Sequence, residues 1–383
     1  LVDAVGVERA ALRLPYLDGL RAIAAAYVVL FHVMIGFSLP ALSGRWQFLR
    51  RVFAYGHEAV AVFIVLSGYC LMLPVVRRQP RRLEAPFPRF MRRRALRILP
   101  PYFVALGLSI VLIAAIAPLR RAHSGTIWDD SLPGLEFGAI ASHLLLVHNW
   151  FPAWKVQING PLWSVATEWQ IYFAFPLLLL PVWRRFGPVA ALAAATALAY
   201  APLAVVPRAA DAAGCWYLLL FTLGMSAAWL GFSETAMATR SSAGVPWGLV
   251  CTGMWAFCAV FSNAAASFWF RSKPLTDLLV GLATATLLVH LGTRAALAPA
   301  ERGTLLRVLE SRPLVGLGQF SYSLYLTHLP LVALMKLALA RFGWPPIVES
   351  FALLVVATSV STAFAFAFYV VVERPCLVHR GPR

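Results

Sequence analysis

About ten runs of some 20 apolar residues divide this chain, and a run of that length is what a helix needs to cross roughly 30 Å of hydrocarbon. The runs fall near residues 17–39, 55–76, 96–117, 160–183, 188–206, 214–232, 245–262, 274–293, 315–339 and 347–372. Inside a bilayer a backbone must satisfy its own N–H and C=O groups, so each run is expected to form a helix. Composition agrees: 60% of the residues are hydrophobic, 13% are charged and the mean hydropathy is +0.74, more apolar surface than one water-soluble core hides. The expected fold is all-α, a polytopic transmembrane helical bundle of about ten spans. It forms a single integral-membrane domain over residues 1–383, with no separate soluble domain, internal repeat or low-complexity tract.

The net charge of +17 would suit a nucleic-acid partner, but the basic residues cluster between apolar runs and not along a soluble face. Topology accounts for them. With both termini cytoplasmic, about 21 Lys and Arg fall on the inner side and about 10 on the outer side. The strongest contributor is the connection from Arg77 to Arg97, which carries Arg77, Arg78, Arg81, Arg82, Arg89, Arg92, Arg93, Arg94 and Arg97. No nucleic-acid partner is expected; membrane lipids are. The five cysteines include no C-x-x-C pair, which supports neither a zinc site nor a disulfide framework.

The one long outer connection runs from about Leu119 to Asn159 and contains a short apolar segment, Ile140 to Trp150. That segment is too short to span and reads as an interfacial or re-entrant helix. His143 and His148 within it are five apart, a poor helical metal pair, so interfacial hydrogen bonding is expected there.

Ionisable residues inside a span are costly and mark functional sites. Arg21 and His32 lie eleven residues apart in the first run, about 1100° of helix, so they share a face about 16 Å apart. Asp18, three residues before Arg21, can hold its guanidinium or form with it a purely structural snorkelling pair.

Six ordered blocks carry a resemblance. Tyr16-Leu-Asp-Gly-Leu-Arg-Ala-Ile-Ala24 leads to His32 and is followed by Ala59-Val-Ala-Val-Phe-Ile-Val-Leu-Ser-Gly-Tyr69. Then come Arg93-Arg-Ala-Leu-Arg-Ile-Leu-Pro-Pro-Tyr102, Gly160-Pro-Leu-Trp-Ser-Val-Ala-Thr-Glu-Trp-Gln-Ile-Tyr172, Phe320-Ser-Tyr-Ser-Leu-Tyr-Leu-Thr-His328 and Val372-Glu-Arg-Pro375. Together they resemble the acyltransferase-3 family of integral-membrane acyltransferases. The resemblance implies transfer of an acyl group, most commonly acetyl from acetyl-CoA, to a hydroxyl of a carbohydrate, a cell-envelope glycan or a secreted metabolite. It implies no bound cofactor, acyl-CoA serving as donor substrate, and a place in a bacterial cytoplasmic membrane. A macrolide-like metabolite fits as acceptor as well as a glycan.

Transfer from a thioester to an alcohol needs a base for the hydroxyl proton, and imidazole titrates near working pH. His32 is the candidate, as direct base or as an acyl relay. Arg21, nearer the inner boundary, suits the anionic end of a donor. The cluster at the mouth of the third run supplies Arg93, Arg94 and Arg97 as phosphate ligands, guanidinium forks matching phosphate oxygens. The remaining arginines are explained by lipid headgroups.

Glu168 lies about two turns into the fourth run, on one face with Ser164 and Tyr172. It is expected to be catalytic, orienting His32 or binding acceptor hydroxyls. Trp163 is either a sugar platform or an interface anchor. Ser321, Tyr325 and His328 form another stripe expected to face the same cavity, with His328 a rival base. Ser67 and Gly68 read as close-packing residues. Asp277 and His290 lie about 140° from a common face and carry no motif. Glu373-Arg374-Pro375 reads as an end signal, with Pro375 stopping the last helix. A secondary transporter or flippase would share the buried charges, but it should display repeats and matching broken helices, which the sequence lacks.

Overall fold

The computed structural model describes residues 14–35, 52–53, 55–77, 83, 85–120, 126–131, 135–233, 245–264, 273–295 and 302–378. The expected positions 36–39 of the first run, and Arg78, Arg81 and Arg82, lie outside the described residues. Every regular element among the described residues is helical. In chain order these are α1 (Pro15–Ile35), α2 (Glu58–Val76), α3 (Phe87–Ala115), α4 (Phe137–Leu144), α5 (Leu162–Ala174), α6 (Leu180–Val205) and α7 (Pro207–Ala213). They continue with α8 (Tyr217–Phe232), α9 (Trp247–Ala264), α10 (Lys273–Ala295), α11 (Thr304–Leu309), α12 (Arg312–Gln319), α13 (Ser321–Ala340), α14 (Pro346–Phe368) and α15 (Arg374–Val378).

Seven of the described helical stretches are long and apolar enough to cross a membrane, or eight if the bent pair α7 and α8 is one span. The count of about ten is thus not reproduced, for identifiable reasons. The fourth and fifth expected runs form one continuous stretch, Leu162–Val205, in which a π turn at Phe175–Leu179 joins α5 to α6 and Gly187 breaks the helix at φ 85°. Pro176 within that turn lacks the N–H that an α turn would use, which is what admits the wider turn. Helix α8 has only 16 residues and meets α7 at a bend of 43°, and the expected run at 245–262 gives only the shorter apolar stretch Trp247–Ala259 of α9.

Glycines set the closest helix approaches. A Cβ at Gly68 of α2 would overlap the Phe221 carbonyl of α8, and one at Gly224 of α8 would overlap the Val65 carbonyl of α2. This reciprocal approach gives Gly68 the close-packing place expected of it. At the opposite face of α1, Gly19 abuts the Leu309 carbonyl of α11, and Gly318 of α12 abuts the carbonyl of Asp18. Two buried phenols from the matched blocks, Tyr16 and Tyr69, meet at 3.0 Å and tie α1 to α2.

The last helix differs from expectation. A second π turn, Tyr369–Glu373, precedes α15, so Pro375 sits in the first turn of a renewed helix, where its missing N–H is tolerated, and does not stop the chain. Glu373 is buried and accepts a 2.5 Å hydrogen bond from Ser323 Oγ, fastening this end to α13.

The connection between α3 and α5 folds back onto the bundle. Helix α4 is eight residues long, too short to span, as expected of an interfacial or re-entrant segment. Asn159 anchors its return by donating to Ser109 Oγ on α3 and to the Leu326 carbonyl on α13. The preceding Ile158 is fully buried and held at φ 63°, a costly conformation for a β-branched residue.

Candidate active site

Helices α1, α2, α3, α5 and α13 enclose a cavity of about 110 Å³, room for a small organic group with a few waters. Arg21, Arg94 and Arg97 line it, with Ser67, Cys70, Ser164, Glu168, Tyr172, Ser321 and Tyr325. Three guanidiniums against one lining carboxylate, Glu168, with Asp18 paired to Arg21, favour an anionic guest. Arg93, the third arginine expected at this mouth, is not among the lining residues.

Helical spacing explains how each side chain arrives. Arg21 donates from Nη1 to Asp18 Oδ1 at 3.1 Å, the i, i+3 pair anticipated from sequence, and from Nη2 to Cys70 Sγ at 3.0 Å. On α5, Tyr172 donates to Glu168 Oε1 at 2.5 Å, and its hydroxyl also lies 3.0 Å from Ser67 Oγ. Ser67 thereby lines the cavity as part of a polar chain. Tyr325 donates to the Pro161 carbonyl at 3.1 Å and meets Ser164 Oγ at 2.7 Å.

His32 and His328 are not lining residues of this cavity; they sit beyond Tyr325. His328 lies three residues after Tyr325 on α13, with ring centroids 6.0 Å apart, and its Nε2 lies 3.1 Å from His32 Nδ1. The two imidazoles that sequence treats as rivals are therefore neighbours. Their contacts fix the tautomers. His328 Nδ1 faces the carbonyls of Leu324 (3.1 Å) and Tyr325 (2.9 Å), which only accept, so it carries the hydrogen and leaves Nε2 as acceptor. His32 Nδ1, between that Nε2 and the Val28 carbonyl at 2.9 Å, is likewise the N–H. The lone pair of His32 is then on Nε2. No contact joins Glu168 to His32 among the described residues; Val28 and His328 orient the imidazole.

Trp163 belongs to a separate cluster. His57 stacks on it with centroids 5.4 Å apart and planes 18° from parallel, and the Lys155 ammonium lies 4.4 Å from its centroid. Burial pulls the Lys155 amine down to about 8, with Lys273 adding repulsion. Asp277, fully buried on α10, accepts from Trp216 Nε1 at 2.8 Å. His290, on the same helix, borders Gly248 of α9.

His143 and His148 stack face to face, centroids 3.7 Å apart and planes within 10°. His143 Nδ1 donates to the Ala139 carbonyl at 2.7 Å, whereas neither ring nitrogen of the buried His148 has a partner among the described residues. Burial holds both imidazoles below the ordinary histidine range. No group of three or more metal-binding side chains occurs among the described residues.

The described residues thus form an apolar helical bundle around an arginine-lined cavity, with a hydrogen-bonded histidine pair beyond its Tyr325 wall. The chain matches a family model described as an acyltransferase domain over residues 14–370 and belongs to that acyltransferase-3 family. It is an integral-membrane O-acyltransferase. Among its relatives is the acyltransferase MdmB of Streptomyces mycarofaciens, 28% identical over 405 aligned positions that cover 97% of this chain and 93% of the relative. The putative peptidoglycan O-acetyltransferase YrhL of Bacillus subtilis is 24% identical over 84% of this chain and 49% of its own length. The O-acetyltransferase OatA of Staphylococcus aureus is 25% identical over 46% of this chain and 26% of its own length. The match thus spans about half and a quarter of those last two proteins. No solved structure matches the chain.

Proposed function

We propose that this protein moves an acetyl group from acetyl-CoA to a hydroxyl of a carbohydrate, a cell-envelope glycan or a secreted metabolite, with His32 at the reacting carbon. The observation that carries this reading is the alignment, within one bundle, of an arginine-lined cavity and a histidine pair one helical turn beyond its Tyr325 wall. In this reading the chain crosses a bacterial cytoplasmic membrane about ten times, the break at Gly187 dividing two crossings, with both termini cytoplasmic.

The donor enters at the arginine end. Arg94 and Arg97, flanked by Arg93, take its phosphates together with Arg21, which Asp18 holds in place, so the anionic end stays at this mouth. The acyl arm extends past Ser164 and Tyr325 toward His32. At that point His32 Nε2, unprotonated in the neutral pair, accepts the acceptor's proton or attacks the thioester itself. In either path the positive charge formed on His32 is shared through Nδ1–H with His328 Nε2. Glu168, one oxygen engaged by Tyr172, offers the other to a hydroxyl in the cavity. A relative named for peptidoglycan O-acetylation and another named as an acyltransferase support a hydroxyl-bearing acceptor without choosing between glycan and metabolite.

The test is free-thiol release from acetyl-CoA by purified protein in nanodiscs, with a panel of sugar and metabolite acceptors, beside His32→Ala. Release that needs both acceptor and His32 is expected. Movement of a labelled acceptor across the bilayer without thiol release would replace this reading with transport.

A further inference from the structure

A second imidazole, outside the cavity, has the partner that His32 lacks. Helices α2, α5, α8 and α10 all begin at one end of the bundle, about 20 Å along α2 from the Cys70 that touches Arg21. There His57, just before α2, places Nε2 3.4 Å from Asp277 Oδ2 and 3.1 Å from the Tyr217 hydroxyl. A carboxylate accepts only, so the hydrogen of a neutral His57 sits on Nε2 and the lone pair on Nδ1. Trp163 fixes the ring plane, and the side chain is still 26% exposed. Asp277 itself is fully buried, and its Oδ1 has no hydrogen-bond partner among the described residues. This end also borders the His32 turn: a Cβ at Gly56 would overlap the ring of Phe31, which touches the His32 ring edge-on at 4.9 Å.

The two imidazoles differ in their neighbours. At His32 the neighbours are a backbone carbonyl and a second imidazole; at His57 one neighbour is a buried carboxylate, an acceptor-only group that sets how the ring is oriented. We propose that His57, oriented by Asp277, is the acceptor-side base, binding and deprotonating the hydroxyl of a polyol acceptor, and that His32 handles the acyl carbon. The assignment rests on the acyl-transfer reading above. The acceptor O–H breaks and its proton passes to His57 Nδ1 as the oxygen bonds to the acyl carbon. The bond from that carbon to the donor sulfur, or to His32 Nε2 where the acyl group has been parked, breaks with its electron pair. The sulfur leaves as a thiol after taking a proton from water, and His57 returns its proton to water.

The test measures acyl transfer and acetyl-CoA binding on the same nanodisc samples of wild type, His57→Gln and Asp277→Asn. Because His57 is partly exposed, His57→Gln keeps the test valid even if Asp277→Asn fails to fold. The expected result is transfer reduced about 100-fold or more in His57→Gln, with donor affinity within about threefold of wild type. Transfer within about threefold of wild type, or a parallel loss of donor binding, would overturn the assignment. Wild-type protein that binds the donor yet acylates no acceptor would overturn the acyl-transfer reading, and this assignment with it.

Discussion

Two histidine pairs lie in this molecule, and they show that burial alone says little about what an imidazole does. His143 and His148 meet face to face, ring on ring, with His148 engaging no hydrogen-bond partner among the described residues. His32 and His328 meet nitrogen to nitrogen, each also held by a backbone carbonyl. The stacked pair behaves as two flat hydrophobic plates locking a short helix against its return loop. The nitrogen-linked pair can pass charge from one ring to the next. Which atoms touch, and not how deeply the side chains are buried, separates a wedge from the pair proposed to relay a proton.

The largest effect should come from breaking the relay at its open end. His32→Ala is expected to lower transfer ~100- to 10,000-fold while leaving membrane insertion and detergent-solubilised size intact; full activity would remove His32 from the chemistry. His328→Gln should act through its neighbour, lowering kcat by roughly tenfold to 100-fold with donor and acceptor KM little changed. A rise in KM alone would make His328 a binding group. Arg21→Ala separates the cavity from the relay: loss of a charge-assisted contact should raise donor KM about 10- to 100-fold and leave acceptor KM unchanged, and an effect confined to the acceptor would reverse the donor assignment.

The stacked pair supplies the smallest effect on activity and a distinct one on stability. His143→Phe with His148→Phe should keep transfer within about twofold, since a plate is replaced by a plate. Burial holds both native imidazoles below the value of the unfolded chain, so the unfolded state binds protons first as pH falls. Wild-type stability should therefore decline on acidification below about 6.5, the unfolded value, and the double variant should flatten that decline by a few degrees in Tm. Identical pH profiles for the two proteins would mean that these rings do not titrate with folding.

Local periodicity made part of this site legible in the sequence. Contacts of the i, i+3 and i, i+4 kind were readable, because helix geometry alone brings Asp18 to Arg21 and Glu168 to Tyr172. Ser321 and Tyr325 reach one cavity for the same reason. What was not readable is long-range. The meeting of His32 with His328 joins positions 296 apart, and that of His57 with Asp277 joins helices α2 and α10, so no periodicity encodes either. His57 lies at the edge of a matched block; its signal in the sequence is an intramembrane Asp277 with no partner on its own helix, which must find one elsewhere. The count of about ten spans is not reproduced for a related reason: hydropathy measures apolar length, and it does not encode the break at Gly187 inside the stretch Leu162–Val205.

The contact of Gly318 with the carbonyl of Asp18 extends the site's reach. Asp18 holds Arg21, so the position of the guanidinium proposed to bind the donor is set by how closely a short helix of eight residues can lie against α1. A methyl group added at Gly318 would displace that turn of α1 without meeting any substrate. If Arg21 binds the donor as proposed, donor preference is open to drift and to engineering at the helix seam behind the cavity, where a search confined to ligand-contacting residues would never look.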